Sequence, residues 1–515
     1  MSAGYGEETT SPAEAVASTQ SGATSGGVPR FARLPVFIVA GVVAALLLGT
    51  SWRLGYFGDE LYFIAAGQHP AWGYADQPPL LPLLARLMTT IAPDSLVVLR
   101  LPAVLVTAAG VVFAAMIARE LGGERRAQLL TAVAYGASIE LLGTGHLLAT
   151  STIDPFLWTV TTWLIVRWVR VRDDRLLLYA GLVTAVDLQV KYLIPIFWIA
   201  LAGTVLVMGP RDMLRRPLLW LGLAVAVLTM VPSLLWQAHN GWPQLAMNSQ
   251  VAAEVEAGYG GRLGFLPWAL LGAGVLFGAV LLCYGLWRLL RSPDLRAYRF
   301  MAVASLVTAA LFIAAEGRYY YVAGLYAVCW AAGAVEIQRH RPAVWWRWAV
   351  DWPTAAVSAL VTVLLVLPIL PPRSTDSGDL VSGGSVGWPE LTDTVATAYL
   401  SLPADQRART AVVTASYWQA SALAKFGPAR GLPTVYSPNR GFWFFGQPPA
   451  ADTDALVIGP EAVGSQLSNL CTSVQAMTTA HYPGGVSGAN TDVTVWHCVG
   501  IRQSWSSVWD QDRMS

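Results

Sequence analysis

What most limits the architecture of this chain is a series of apolar runs interrupted only by short polar loops. Eleven of them lie near Leu34–Trp52, Leu96–Ala118, Leu129–Leu148, Phe156–Val171, Leu176–Val190, Leu193–Met208, Leu218–Trp236, Phe265–Trp287, Phe300–Ala315, Tyr321–Ile337 and Val344–Leu370. A helix needs about 20 such residues to cross a bilayer core, where each backbone N–H and C=O has to be satisfied within the segment. The pattern predicts an all-α polytopic membrane bundle of about eleven spans. Composition agrees, because 13% of the residues are charged, against about 25% in soluble domains. A net charge of +1 offers no basic surface, which argues against a nucleic-acid partner.

Charge in the loops sets the orientation. One set carries Arg119, Arg125 and Arg126; Arg170, Arg172 and Arg175; Arg211, Arg215 and Arg216; Arg288, Arg291, Arg296 and Arg299; and Arg339 and Arg341. The alternate loops hold few cations but contain Asp59, Glu60, Asp76, Asp154, Glu254, Glu256 and Glu316. Positive loops stay in the cytoplasm, so the N-terminus is expected inside and, with an odd number of spans, the C-terminus outside. Residues 1–30, rich in Ser, Thr, Ala and Gly, read as a disordered cytoplasmic tail. Residues 31–370 form the membrane domain, with a first outer loop at 53–95. Residues 371–515 read as a small extracytoplasmic α/β domain. That domain holds Cys471 and Cys498, the two cysteines in an oxidising compartment, and these are expected to form a disulfide. Trp52, Trp72, Trp242 and Trp268 stand at the ends of apolar runs, as an interfacial belt requires.

The polar residues of the outer loops are the candidates for chemistry. Asp59-Glu60 and Asp76 lie in the first loop and Asp154 at the start of the fourth run. Lys191 separates the fifth and sixth runs, His239 follows the seventh, and Arg318 with Tyr319, Tyr320 and Tyr321 precedes the tenth. Each has a plain alternative: a helix cap for Asp59 and Glu60, snorkelling for Lys191, a satisfied turn for His239. Their placement on one side favours a site, because ionisable groups at membrane depth are costly. A carboxylate there can take a proton from a hydroxyl, and Lys and Arg can stabilise a departing phosphate. The sequence has no P-loop, and the outer compartment lacks nucleotide pools, so an activated sugar would arrive on a lipid phosphate.

The first-loop stretches GDELYFIAAG and YADQPPL resemble the signature of the protein O-mannosyltransferase superfamily, glycosyltransferase family 39 and its bacterial relatives, which share the GT-C membrane fold. LLATSTIDPFLW, VKYLIPIFW, VPSLLWQAHNGWPQL and GRYYYVAGLYAVCWAAGA are similar to later segments of that family, and KFGPARGLPTVYSPNRGFWFFGQPP to its bacterial members. The resemblance implies an inverting transfer from a polyprenyl-phosphate sugar to a glycan, lipid or protein acceptor at the outer face of the plasma membrane. It makes Asp59 the catalytic acid-base residue, with Glu60, Asp76 and Asp154 as supporting acids. Lys191 and Arg318 would contact the donor phosphate, and Gln77, Tyr192, His239, Tyr319 and Tyr320 the substrates. Gln77 stands where some relatives carry Lys, and Arg318 where Lys-Pro is common. Some relatives hold a metal near the position of Asp76; no metal-ligand spacing stands out here, so a divalent metal stays open and no other cofactor is called for.

A transporter, or a flippase-like partner of glycan assembly, is the rival reading. Transporters show internal repeats with broken spans at matching positions, and no such repeat is visible in this sequence.

Overall fold

The computed structural model describes residues 28–369 and 380–511. Most of the tail expected at residues 1–30 lies outside them, as does the junction at 370–379. The chain is a multi-pass helical membrane protein capped by a small mixed sheet. Among the described residues, five helices are long and apolar enough to cross a membrane: Arg33–Thr50, Leu96–Glu120, Pro217–His239, Arg296–Ala314 and Tyr319–Arg339. The pair Gly261–Ala273 and Phe277–Arg291 adds a sixth if taken as one broken span.

The expectation of eleven uniform spans is therefore not reproduced by helix length and apolarity alone. The run at 265–287 bends by 110° between its two halves, where Gly274 adopts φ +139°. The run at 129–148 divides into Arg125–Gly136 and Ile139–Thr144. Hydropathy measures the length of an apolar run and is blind to such breaks. Lipid-facing surface is nonetheless evident. Phe37, Leu105, Leu206, Val207, Leu228, Leu235, Leu263 and Leu365 are all exposed on helices, an arrangement that is unfavourable in water. Trp52, Trp72, Trp242 and Trp268 are exposed too.

Two buried carboxylates are neutralised locally. Glu120 is ringed by Arg119, Arg167 and Arg170. Glu336 accepts from Arg288 and Ser292.

The C-terminal sheet has five strands, β1 (Thr410–Thr414), β2 (Val435–Tyr436), β3 (Asp454–Gly459), β4 (Cys471–Ala480) and β5 (Val493–Ile501). They are arranged in the order β2-β1-β3-β5-β4. β1 pairs in parallel with β2 and β3, while β5 runs antiparallel to β3 and β4. The parallel half follows from the helix Tyr417–Phe426, which crosses over from β1 to β2 and buries Tyr417, Ala420, Ala422 and Leu423. Cys471 and Cys498 are disulfide-bonded, with Cα atoms 5.6 Å apart.

Candidate active site

The first loop folds into a helix, Gly58–Gln68, whose N-terminus is fixed by a buried ion pair. Glu60 is 0% exposed. It accepts from Arg100 Nε and Nη2 at 2.9 and 2.7 Å, and from the backbone N–H groups of Phe57 and Leu148, both at 3.0 Å. Arg100 in turn donates to the carbonyls of Ser51 and Gly55. With its lone pairs occupied in this way, Glu60 positions the loop; no reacting group can reach it without breaking the ion pair.

One residue earlier, Asp59 points the other way, toward the C-terminal domain. Its Oδ1 accepts from the Tyr417 hydroxyl at 2.7 Å and from Trp418 Nε1 at 2.8 Å. Both donors begin the crossover helix Tyr417–Phe426, which packs on Gly58–Gln68. Two glycines permit this approach. A Cβ on Gly58 would lie 2.2 Å from the Trp418 ring, and one on Gly441 would lie 1.9 Å from the Tyr62 hydroxyl. The backbone N–H of Gly58 donates to the carbonyl of Gly384, so the C-terminal segment also caps the helix. A further tie joins Lys425 to Asp94 at 2.5 Å.

Asp76 sits beside Asp59, accepting from the Tyr62 hydroxyl at 3.0 Å. Burial pushes its carboxyl up from the usual range to about 6, against the opposing pull of Arg440 and the Tyr62 hydroxyl. Burial likewise raises the Tyr62 and Tyr417 phenols well above their ordinary values.

From Asp59 a continuous path of contacts leads to the basic residues. Arg440 Nη1 lies 3.3 Å from the Tyr417 hydroxyl, and its guanidinium lies over the Tyr417 ring. Arg440 and Arg318 each pair with a different oxygen of Glu254. Arg318 lies over the Tyr320 ring, and Lys191 sits 5.2 Å from the centre of Tyr320 and 4.3 Å from that of Tyr321. Asp59, Asp76, Lys191, Arg318 and Tyr320 are thus gathered at the end of the bundle opposite the arginine-rich loops.

The other sequence candidates fall at different distances from this group. Asp154 is buried deeper, beside Asp187, with Trp158 and Lys191 as polar neighbours. Tyr192 faces Ser233 and Gln237, with Asp76 nearby. Gln77 is buried, its carbonyl accepting from the N–H of Tyr74. Tyr319 donates to the buried Glu140 at 3.1 Å. His239 ends the helix Pro217–His239, exposed, and among the described residues no contact ties it to the acid group.

Sequence reasoning missed Tyr417, Trp418, Arg440, Glu140 and Asp187. The aromatic density of SYWQ and NRGFWFF was one hint, and the glycines Gly58 and Gly441 were another. For a metal, the fit is poor. Among the described residues, one trio of His, Cys, Asp or Glu is close enough to share an ion, Asp294, Glu336 and His340. It belongs to the arginine-rich end, where Arg288 and Arg339 already pair with Glu336. Among the described residues, no third His, Cys, Asp or Glu stands close enough to Asp59 and Asp76 to share an ion with them.

Residues 76–236 match the family model described as dolichyl-phosphate-mannose-protein mannosyltransferase. The fold is similar to that of ArnT from Cupriavidus metallidurans bound to undecaprenyl phosphate, with a TM-score of 0.55 and 15% identity over 90% of this chain and 97% of that one. The apo form of the same protein gives a TM-score of 0.57 at 14% identity over the same shares. The chain has the GT-C type of membrane fold. A weaker likeness to the mycobacterial arabinofuranosyltransferase AftD has a TM-score of 0.49 and 14% identity, over 91% of this GT-C chain and 40% of AftD. No curated protein sequence matches it.

Proposed function

We propose that this GT-C chain is an inverting glycosyltransferase that moves a sugar from a polyprenyl-phosphate donor to an acceptor hydroxyl at the outer membrane face. The observation that carries the reading is the juxtaposition of Asp59 and Asp76 with Arg440, Arg318 and Lys191 in one group. A general base for the acceptor and cations for the leaving phosphate are what such a transfer needs. A lipid phosphate is also the ligand of the ArnT structure with the same fold.

In this mechanism Tyr417 and Trp418 hold Oδ1 of Asp59 and so aim Oδ2 at the acceptor hydroxyl. The hydroxyl gives its proton to Asp59 as its oxygen bonds to the anomeric carbon. The bond from that carbon to the phosphate oxygen breaks, its electron pair stays with the phosphate, and polyprenyl phosphate departs. A single displacement of this kind inverts the anomeric centre. Glycan, lipid and protein acceptors all offer the required hydroxyl. The division into a cytoplasmic tail (1–30), a membrane catalytic domain (31–370) and an outer domain (371–515) belongs to the same proposal, as do the inside N-terminus and the plasma membrane.

The test is transfer by the purified full chain in lipid, offered either polyprenyl-phosphate sugars or nucleotide sugars. Turnover is expected with the lipid-linked donor. Efficient turnover with a nucleotide sugar and no lipid overturns the reading.

A further inference from the structure

Glu254 occupies an unusual position. It lies on the helix Pro243–Tyr259, outside the acid pair, and its two carboxylate oxygens are divided between Arg318 and Arg440. These arginines come from distant parts of the chain, one from the segment before the tenth apolar run and one from the outer domain. Both are largely buried, with side chains 19% and 17% exposed, whereas Glu254 is 40% exposed. Two guanidinium groups gripping opposite oxygens of one anion, against the aromatic faces of Tyr320 and Tyr417, form a fork that suits a phosphate as well as a carboxylate. Arg440 is held there under backbone strain, at φ 47°, a region that residues other than Gly seldom adopt. The next residue, Gly441, presses against Tyr62 beside Asp76. The loop is thus built to bring Arg440 to this point.

Resting on the lipid-phosphate donor proposed above, we infer that Arg440 of the outer domain and Arg318 together form the phosphate clamp, and that Glu254 is an internal stand-in for the phosphate. The carboxylate neutralises two arginines that would otherwise be buried close together unpaired, which is costly. A phosphate group, carrying more charge and more acceptor oxygens, displaces Glu254 toward solvent, where its exposed side already lies. Because Arg440 also touches the Tyr417 hydroxyl, which holds Asp59, loading of the clamp is linked to the placement of the base. The shared ligand chemistry is a phosphate ester, and its source is the donor lipid.

The experiment measures binding to the purified full chain of three probes: undecaprenyl phosphate, the same polyprenol without phosphate, and inorganic phosphate. The wild-type chain should prefer undecaprenyl phosphate to both others. Arg440→Gln should weaken that binding roughly tenfold or more, since it removes charge-assisted hydrogen bonds. Arg440→Lys, which keeps the charge but loses the fork, should fall between, so a folding defect in the glutamine variant does not end the test. Glu254→Gln keeps the shape, removes the competing charge and should tighten binding several-fold.

Undiminished binding by Arg440→Gln, or binding by Glu254→Gln that is unchanged or weaker, overturns the inference and leaves the donor reading standing. Failure of the wild-type chain to bind undecaprenyl phosphate sinks the donor reading and the inference together. Inorganic phosphate binding as tightly as the lipid overturns the lipid as the source.

Discussion

Replacing Arg100 by Met should destabilise the membrane domain far more than an exposed charge would, because of what it leaves behind. Arg100 supplies two hydrogen bonds to Glu60 and two more to the carbonyls of Ser51 and Gly55. Both side chains of the pair are essentially inaccessible, at 1% and 0% exposure. Without the guanidinium, the Glu60 carboxylate stays buried with two backbone N–H donors and no countercharge. Breaking a buried pair from one side costs about 3–5 kcal/mol, whereas replacing both partners costs much less. The assay is a double-mutant cycle of Arg100→Met and Glu60→Gln, with thermal unfolding followed in a lipid-like detergent at one fixed scan rate. Each single variant should lower Tm clearly. The double variant should lose less than the sum of the two, with a coupling of about 2 kcal/mol or more. Additive losses, or an Arg100→Met protein as stable as the wild type, would refute the structural role assigned to Glu60.

Three other outcomes are expected. Gly58→Ala places a methyl group where the Trp418 ring lies, so it should reduce transfer strongly and lower protection of the crossover helix in hydrogen exchange; Trp418→Ala should rescue part of the protection lost in Gly58→Ala, and absence of any rescue contradicts the packing. The raised carboxyl of Asp76, at about 6, should add stability that is complete below its ordinary value of about 4 and is lost as pH rises through about 6; the stability difference between wild type and Asp76→Asn, measured by unfolding from pH 4 to 7, should change sharply in that window, and a flat difference contradicts the burial. Removing the disulfide by Cys471→Ser should cost the C-terminal domain about 3.5 kcal/mol by chain entropy for a loop of 27 residues, read as lost resistance to proteolysis, and unchanged resistance would count against it.

How much of this could be read from the sequence varies with the range of the interaction. Asp59, Asp76, Lys191 and Arg318 stand out because polar groups next to apolar runs are costly unless used, and the structure gathers them. Glu60 does not stand out from Asp59, its neighbour. What separates them is Arg100, forty residues away, together with the geometry of a helix N-terminus that aims adjacent side chains apart. Tyr417 and Trp418 lie 358 and 359 residues from Asp59, and no spacing rule carries a contact of that length. Their trace in the sequence is indirect, in Gly58 and Gly441, whose missing side chains leave room for the docked domain. The helical membrane bundle was legible from apolar runs, but the breaks at Ala137 and Gly274 were not, since a bent run and a straight one have the same hydropathy. His239 was grouped with the site because the loop charges predict the same side of the membrane for both, and sidedness alone does not bring a residue within contact.

The central claim is that Asp59 takes the proton from the acceptor, and the most direct test is Asp59→Asn measured in single-turnover transfer from a polyprenyl-phosphate sugar. Asn can still accept from Tyr417 and Trp418 through its amide oxygen, so folding and binding of undecaprenyl phosphate should be largely kept. Turnover should fall by about a hundred- to ten-thousand-fold, the usual contribution of a general base. An Asp59→Asn protein that transfers sugar at close to the wild-type rate would contradict the account and leave Asp59 as a residue that merely docks the C-terminal domain.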